Sequence, residues 1–172
     1  LAGAGGIRLY KQSMETTFND VTSATKLPAE VLNRPYYGVW AIDIEMDGDL
    51  DLLVAPWQGE ATVLRNNGDG TWKEIKPFAG AKNIRDFVWA DLDNDGDQDV
   101  VLLDSAGKMH FYENQRSGVF LPWQEPKVTG KTLAIGVADL ARAGKFQVLA
   151  LQEDGKILSM MRNEDETDWQ VK

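Results

Sequence analysis

The sequence predicts an all-β fold built from four-stranded antiparallel blades, and three observations carry that prediction. First, an acidic loop signature recurs every 48 residues, with its leading aspartate at Asp43, Asp91 and Asp139. Second, an asparagine six residues ahead of an aromatic keeps the same period: Asn66 with Trp72, Asn114 with Phe120, Asn163 with Trp169. Third, the stretches between are short Val-, Ile-, Leu- and aromatic-rich runs bounded by Asn, Asp and Gly clusters, the signature of strands joined by hairpins. Nothing sustains a 3.6-residue period. Four strands in about 40 to 50 residues is the arithmetic of a β-propeller blade. Three copies in register disfavour a β-sandwich with accidental acidic turns, and the Trp-Asp dipeptide of WD repeats is missing.

Each element follows in order along the chain. Ile7-Arg8-Leu9-Tyr10-Lys11, then Thr17-Phe18-Asn19-Asp20-Val21, matches the back half of a repeat, with Gln12 six residues ahead of Phe18. Its front half is missing. Ala24 to Leu32 has room for a short helical turn, and Pro28 and Pro35 discourage anything longer. In the first full copy, Gly38-Val39-Trp40-Ala41-Ile42 runs into the acidic loop and Asp51-Leu52-Leu53-Val54-Ala55 leaves it. Thr62-Val63-Leu64-Arg65 leads to the turn Asn66-Asn67-Gly68-Asp69-Gly70, and Trp72-Lys73-Glu74-Ile75 follows. The second copy repeats this from Asp86-Phe87-Val88-Trp89-Ala90 and Val100-Val101-Leu102-Leu103. The third uses Ile135-Gly136-Val137-Ala138 and Val148-Leu149-Ala150-Leu151. The predicted organisation is half a blade at 7–36, blades with acidic loops at 37–84 and 85–132, and a blade with a degenerate loop at 133–172. Leading Asp and landmark Asn stand 23, 23 and 24 residues apart, which implies one inserted residue in the last copy.

Composition narrows the chemistry. The 172 residues are 43% hydrophobic and 26% charged, enough for one domain with a real core. No apolar run approaches the ~18 residues that span a membrane, and Leu1 does not open a signal peptide. Cysteine is absent, which rules out disulfides, thiolate catalysis and Cys-based zinc sites while remaining compatible with an oxidising compartment. The single histidine, His110, sits in the alternating stretch Lys108 to Tyr112 and reads as a strand residue. No basic cluster of a nucleic-acid footprint is present.

The net charge of −9 is local. The loops Asp43 to Asp51 and Asp91 to Asp99 hold ten of the 27 acidic residues and no basic one, which leaves 17 acidic against 18 basic elsewhere. Five carboxylates within nine residues repel one another unless a cation sits among them. The candidate ligands are Asp43, Glu45, Asp47, Asp49 and Asp51 in the first loop, and Asp91, Asp93, Asp95, Asp97 and Asp99 in the second. Asp49 and Asp97, at position seven, are expected to offer backbone carbonyls. An all-oxygen set without His or Cys favours calcium, with magnesium second because it prefers to keep waters. An EF-hand is excluded, since its twelfth position needs Glu and this one holds Val54 and Leu102. The third loop keeps Asp139 and Gly144 but has Ala141, Ala143 and Gln147 where carboxylates belong, with Arg142 and Lys145 beside them. No metal is expected there.

Val88-Trp89-Ala90-Asp91-Leu92-Asp93-Asn94-Asp95-Gly96-Asp97-Gln98-Asp99 and Leu64-Arg65-Asn66-Asn67-Gly68-Asp69-Gly70-Thr71-Trp72 resemble the FG-GAP, or VCBS-type, repeats of integrin α propellers and secreted bacterial proteins. The bacterial form found beside an UnbV/ASPIC segment is the most similar. The resemblance implies calcium sites in hairpins between the first two strands of a blade, and an extracellular, periplasmic or cell-surface location. Propellers close with four to eight blades, so the remaining blades are expected from a longer chain or an assembly. The expected function is a non-catalytic, calcium-stabilised module, with two structural calcium ions, that binds protein or carbohydrate on a propeller face. Trp57, in a polar stretch and replaced by Ser105 in the second copy, is the candidate ligand-binding aromatic; packing between blades is its other role. The alternative is the propeller domain of a polysaccharide lyase or hydrolase, for which Tyr36, Tyr37 and Lys108 are the available acid–base groups.

Overall fold

The computed structural model describes residues 1–163 and 168–172, which form two compact units, Leu1–Asn83 and Ile84–Lys172. The first unit opens with two short paired strands, β1 (Ala2–Gly3) and β2 (Gly6–Ile7). Gly6 has a positive φ of 95° and lies so close to the carbonyl of Leu32 that a Cβ there would meet its oxygen at 2.0 Å. Only glycine fits that approach. The hairpin β3 (Tyr10–Met14) and β4 (Thr17–Asp20) follows and pairs Gln12 with Phe18. The helical turn expected within 24–32 resolves into two separate turns. One is a 3₁₀ turn at Thr22–Thr25, and the other is helix α1 (Ala29–Asn33), which Pro28 enters and which stops where Arg34 becomes extended ahead of Pro35.

The first complete blade is β5 (Tyr36–Ile42), β6 (Asp51–Pro56), β7 (Thr62–Asn66) and β8 (Trp72–Ile75), hydrogen-bonded in that order as an antiparallel sheet. Ile7, Leu27, Val31, Tyr36, Val54 and Leu64 form the buried core of this unit. The Tyr36 hydroxyl donates to the Val31 carbonyl at 2.8 Å, which satisfies its polar end inside that core.

The second unit holds two further blades. One is β9 (Ile84–Ala90), β10 (Asp99–Asp104), β11 (Met109–Asn114) and β12 (Phe120–Pro122). The other is β13 (Thr132–Ala138), β14 (Gln147–Gln152), β15 (Ile157–Arg162) and β16 (Trp169–Val171). Both sheets run in sequence order. The three blades start at Tyr36, Ile84 and Thr132, each one residue ahead of the predicted boundary and each 48 residues from the next. Asp86 of β9 accepts the Ile135 amide of β13 at 3.1 Å, which ties the first strands of these two blades together. Between them Val101, Phe111, Val148, Met160 and Trp169 form one core. The Phe111 and Trp169 rings stand 4.8 Å apart, and the indole N–H of Trp169 donates to the Gln124 carbonyl at 2.7 Å.

Register corrects one reading of the landmarks. Trp72 pairs with Asn66 and Phe120 with Asn114, but Trp169 pairs with Arg162. Arg162 lies 23 residues after Asp139, so β15 keeps the period and the extra residue belongs to the turn that follows. Asn163 is therefore no counterpart of Asn66 and Asn114. The Arg162 guanidinium instead packs over Trp123 and Trp169, 4.7 and 5.3 Å from their ring centres.

Truncating Phe111 to Ala removes a ring from the shared core of the second unit. The expected loss is about 3–5 kcal/mol of unfolding free energy, measured by denaturant titration of the full chain. A loss below about 1 kcal/mol would contradict the packing described.

Candidate metal centre

Each blade joins its first two strands by a nine-residue loop, and all three loops share one backbone. Position four is left-handed in every copy: Met46 (φ 57°), Asn94 (φ 65°) and Arg142 (φ 55°). Position six is a positive-φ glycine: Gly48, Gly96 and Gly144. Folding the chain back this tightly turns the loop's amides inward, and the leading aspartate collects them. Asp43 accepts the amides of Asp47 and Gly48 at 3.1 and 3.0 Å. Asp139 accepts those of Ala143 and Gly144 at 3.0 and 2.7 Å. Asp91 takes the Gly96 amide at 3.1 Å through one oxygen only.

The ninth position does a different job. One oxygen of Asp99 accepts the Leu92 amide at 2.9 Å, and the other accepts the Asn114 amide at 2.9 Å. Asp51 does the same with Ile44 (2.9 Å) and Asn66 (2.8 Å). One carboxylate thus pins the start of the loop to the far end of the third strand. The asparagine side chains extend the link: Asn114 donates to the Gln98 carbonyl at 3.0 Å and accepts the Arg116 amide at 2.9 Å. Asn66 and Asn114 were legible in the sequence only as register landmarks, and their bridging role needs the fold to be seen.

In the second loop the Asp91, Asp93 and Asp99 carboxylates bring one oxygen each within 4.8 Å of one another. Among the described residues this is the one such group of metal-ligating side chains. Asp99 is only 1% exposed, Asp93 is buried, and the second oxygen of Asp91 is buried without a hydrogen-bond partner. Burial raises the Asp93 carboxyl above its ordinary range, and it pushes Asp99 up to about 7, with the neighbouring Asp93 and Asp95 charges adding to the rise. Asp97 accepts from the Arg116 guanidinium at 2.6 Å, and Asp95 is exposed and caps the Asp97 amide at 2.9 Å. An orphaned acceptor beside two buried carboxylates, all oxygen, fits a hard cation.

The first loop is arranged differently. Asp43 and Asp51 are held by backbone amides as above. Glu45 turns to the Arg65 guanidinium at 3.2 Å, while Asp47 and Asp49 are exposed at the surface, with Asp47 accepting the Asp49 amide at 3.0 Å. Burial also raises the Asp51 carboxyl. The third loop places no carboxylate at position nine; Gln147 there accepts the Ser159 hydroxyl.

The remaining candidates have structural partners. Tyr37 and Trp57 stack on one another at the surface, ring centres 5.5 Å apart and planes 25° from parallel. Trp57 therefore packs on the first strand of its own blade. Lys108 pairs with Glu125 at 3.1 Å, and His110 lies 3.1 Å from Asp104.

Repeated four-stranded antiparallel blades, each with an Asp-led loop between its first two strands, define a β-propeller repeat protein. Residues 43–102 and 91–150 each match the model of the FG-GAP-like repeat, and the chain belongs to that family. Repeats of this family build non-catalytic binding or scaffold modules. Over 78 residues, 45% of this chain, the sequence is 31% identical to the KICSTOR complex protein ITFG2 of Mus musculus and to that of Bos taurus. The match spans 17% of the mouse protein and 14% of the bovine one.

The metal-free chain should show an inverted pH dependence. The folded state keeps the Asp99 proton up to about pH 7, whereas the unfolded chain releases it near the model value of 3.8. Between those values the folded state binds more protons, so stability falls as pH rises. Asp104 and Asp139, whose pKa values are lowered by the amides they accept, act in the opposite sense but only as pH drops below about 4. Thermal melts in chelator should therefore give a midpoint that drops from pH 5 to pH 7.5. A flat or rising midpoint would contradict the buried state of Asp99.

Proposed function

We propose that the chain is a calcium-stabilised, non-catalytic propeller module that holds a protein partner on a blade face. The observation that carries the calcium reading is the cluster of Asp91, Asp93 and Asp99 with the partnerless buried oxygen of Asp91. Three buried carboxylates repel one another, and a divalent cation among them replaces repulsion with ligation. Asp91, Asp93, Asp95 and Asp99 would hold it, with the backbone carbonyl of Asp97. The metal would fix the hairpin; a ring of carboxylates leaves little room for the open coordination position that Lewis-acid chemistry needs. In the first loop, Asp43, Glu45, Asp47, Asp49 and Asp51 would form the second site, with Glu45 released from Arg65.

A protein partner is supported by the family and by the relatives, which are named as members of a protein complex. Location outside the cytoplasm suits a calcium staple, because extracellular modules of this chemistry fill at ~10⁻⁴–10⁻³ M calcium. A second reading, carbohydrate binding, rests on the exposed Tyr37–Trp57 stack, whose flat apolar face suits a sugar ring.

Calcium at about 100 times its dissociation constant should stabilise the folded chain by about 2.7 kcal/mol, seen as a midpoint rise of about 5–10 °C. Asp93→Ala combined with Asp95→Ala should abolish most of that rise. An equal rise in the double variant, or none in the natural sequence, would refute the staple. Titration with oligosaccharides followed by tryptophan fluorescence tests the second reading: it stands only if a saturable change is lost in Trp57→Ala.

A further inference from the structure

The half-blade β3–β4 exposes side chains that every complete blade buries. Phe18 is 61% exposed, whereas its counterparts Phe120 and Trp169 are 7% and 8% exposed. Tyr10 is 46% exposed, whereas the residues at its register, Leu64, Tyr112 and Met160, are fully buried. The repeat shows what buries them. Leu64 faces Leu52, Tyr112 faces Val100 and Met160 faces Val148, in each case the first apolar residue of the second strand of the blade. In two of the three blades the residue just before it is the ninth-position aspartate, whose carboxylate takes the amide of Asn66 or Asn114. At the register of those asparagines the half-blade has Gln12, which faces Phe18 as Asn66 faces Trp72.

Beside this hairpin lies an open cavity of about 1070 Å³, lined by Leu9, Tyr10 and Phe18 on one side and by Val39, Leu52 and Trp72 on the other. β3 is the end strand of its two-stranded sheet, and all five of its residues are exposed. An open apolar edge of this kind is a template for an added strand.

We infer that the β3 edge and its cavity are the docking site for a β-hairpin of the repeat's own front-half chemistry: two apolar strands around an Asp-led loop. The incoming second strand pairs antiparallel with β3, sets its first apolar residue opposite Tyr10, and offers its preceding aspartate to the backbone amide of Gln12. A second copy of these residues is a poor occupant. Its three front-half hairpins, β5–β6, β9–β10 and β13–β14, are each already paired to the third strand of their own blade, so none is spare without breaking a blade.

A peptide copying residues 84–104 is the probe, added in excess to the full chain. The expected result is saturable binding, with slowed deuterium exchange at the amides of Tyr10 to Met14. Tyr10→Asp, which changes an exposed residue, should weaken binding by about tenfold or more by forcing a carboxylate into an apolar contact. In the peptide, Asp99→Ala should weaken it as well, and a scrambled peptide should not bind. Absence of protection at β3, or equal affinity in Tyr10→Asp, overturns the inference. So does sedimentation showing a dimer of the chain alone that Tyr10→Asp dissociates, because the face would then be a contact between copies.

Discussion

One carboxylate holds each acidic blade together. Asp51 and Asp99 each grip two backbone amides, one at the start of the loop and one at the end of the third strand. That grip fixes where the loop begins, how far the third strand runs, and where the next turn starts. It also sets a conflict, because a carboxylate buried well enough to serve both amides loses its water. At Asp99 the two amides do not offset that loss, and the carboxyl stays raised. The acidic loop exists around this conflict: neighbouring Asp91 and Asp93 make it worse alone and resolve it together once a cation sits among them.

The three loops separate what shapes the hairpin from what charges it. Arg142 and Gly144 adopt the same positive-φ backbone as Asn94 and Gly96, yet the third loop has lost its carboxylates at positions three, five and nine. Asp139 and the glycine suffice for the turn. The carboxylates add a site to a loop that already folds. The first loop stands between the two extremes, since Arg65 lends Glu45 a positive partner, and its acid is offset from outside the loop.

Much of this was legible in the residues. Period, strand order and blade boundaries follow from the 48-residue spacing, because strand and turn signals are local and repeat without interruption. The acidic ligand set was legible too, as a list of residue types. Which of them converge was not, because convergence depends on burial: Asp93 and Asp99 lie under the sheet while Asp47, Asp49 and Asp95 stay at the surface. Arg162 shows the limit in another way. Counting to the nearest asparagine picked Asn163, but strand pairing follows the ladder of backbone bonds, and the ladder ends on an arginine that packs on two indoles.

The amide clasp spans few residues, and that has a kinetic side. Leu92 and Asn114, joined through Asp99, are 22 positions apart, so the closure entropy for each clasp is that of a short loop. Contacts so close in sequence favour rapid formation. Each acidic blade then carries its own nucleus, complete as soon as its third strand has been synthesised. A chain emerging from the ribosome sets one hairpin before the next appears, and its apolar strands are never exposed many blades at a time.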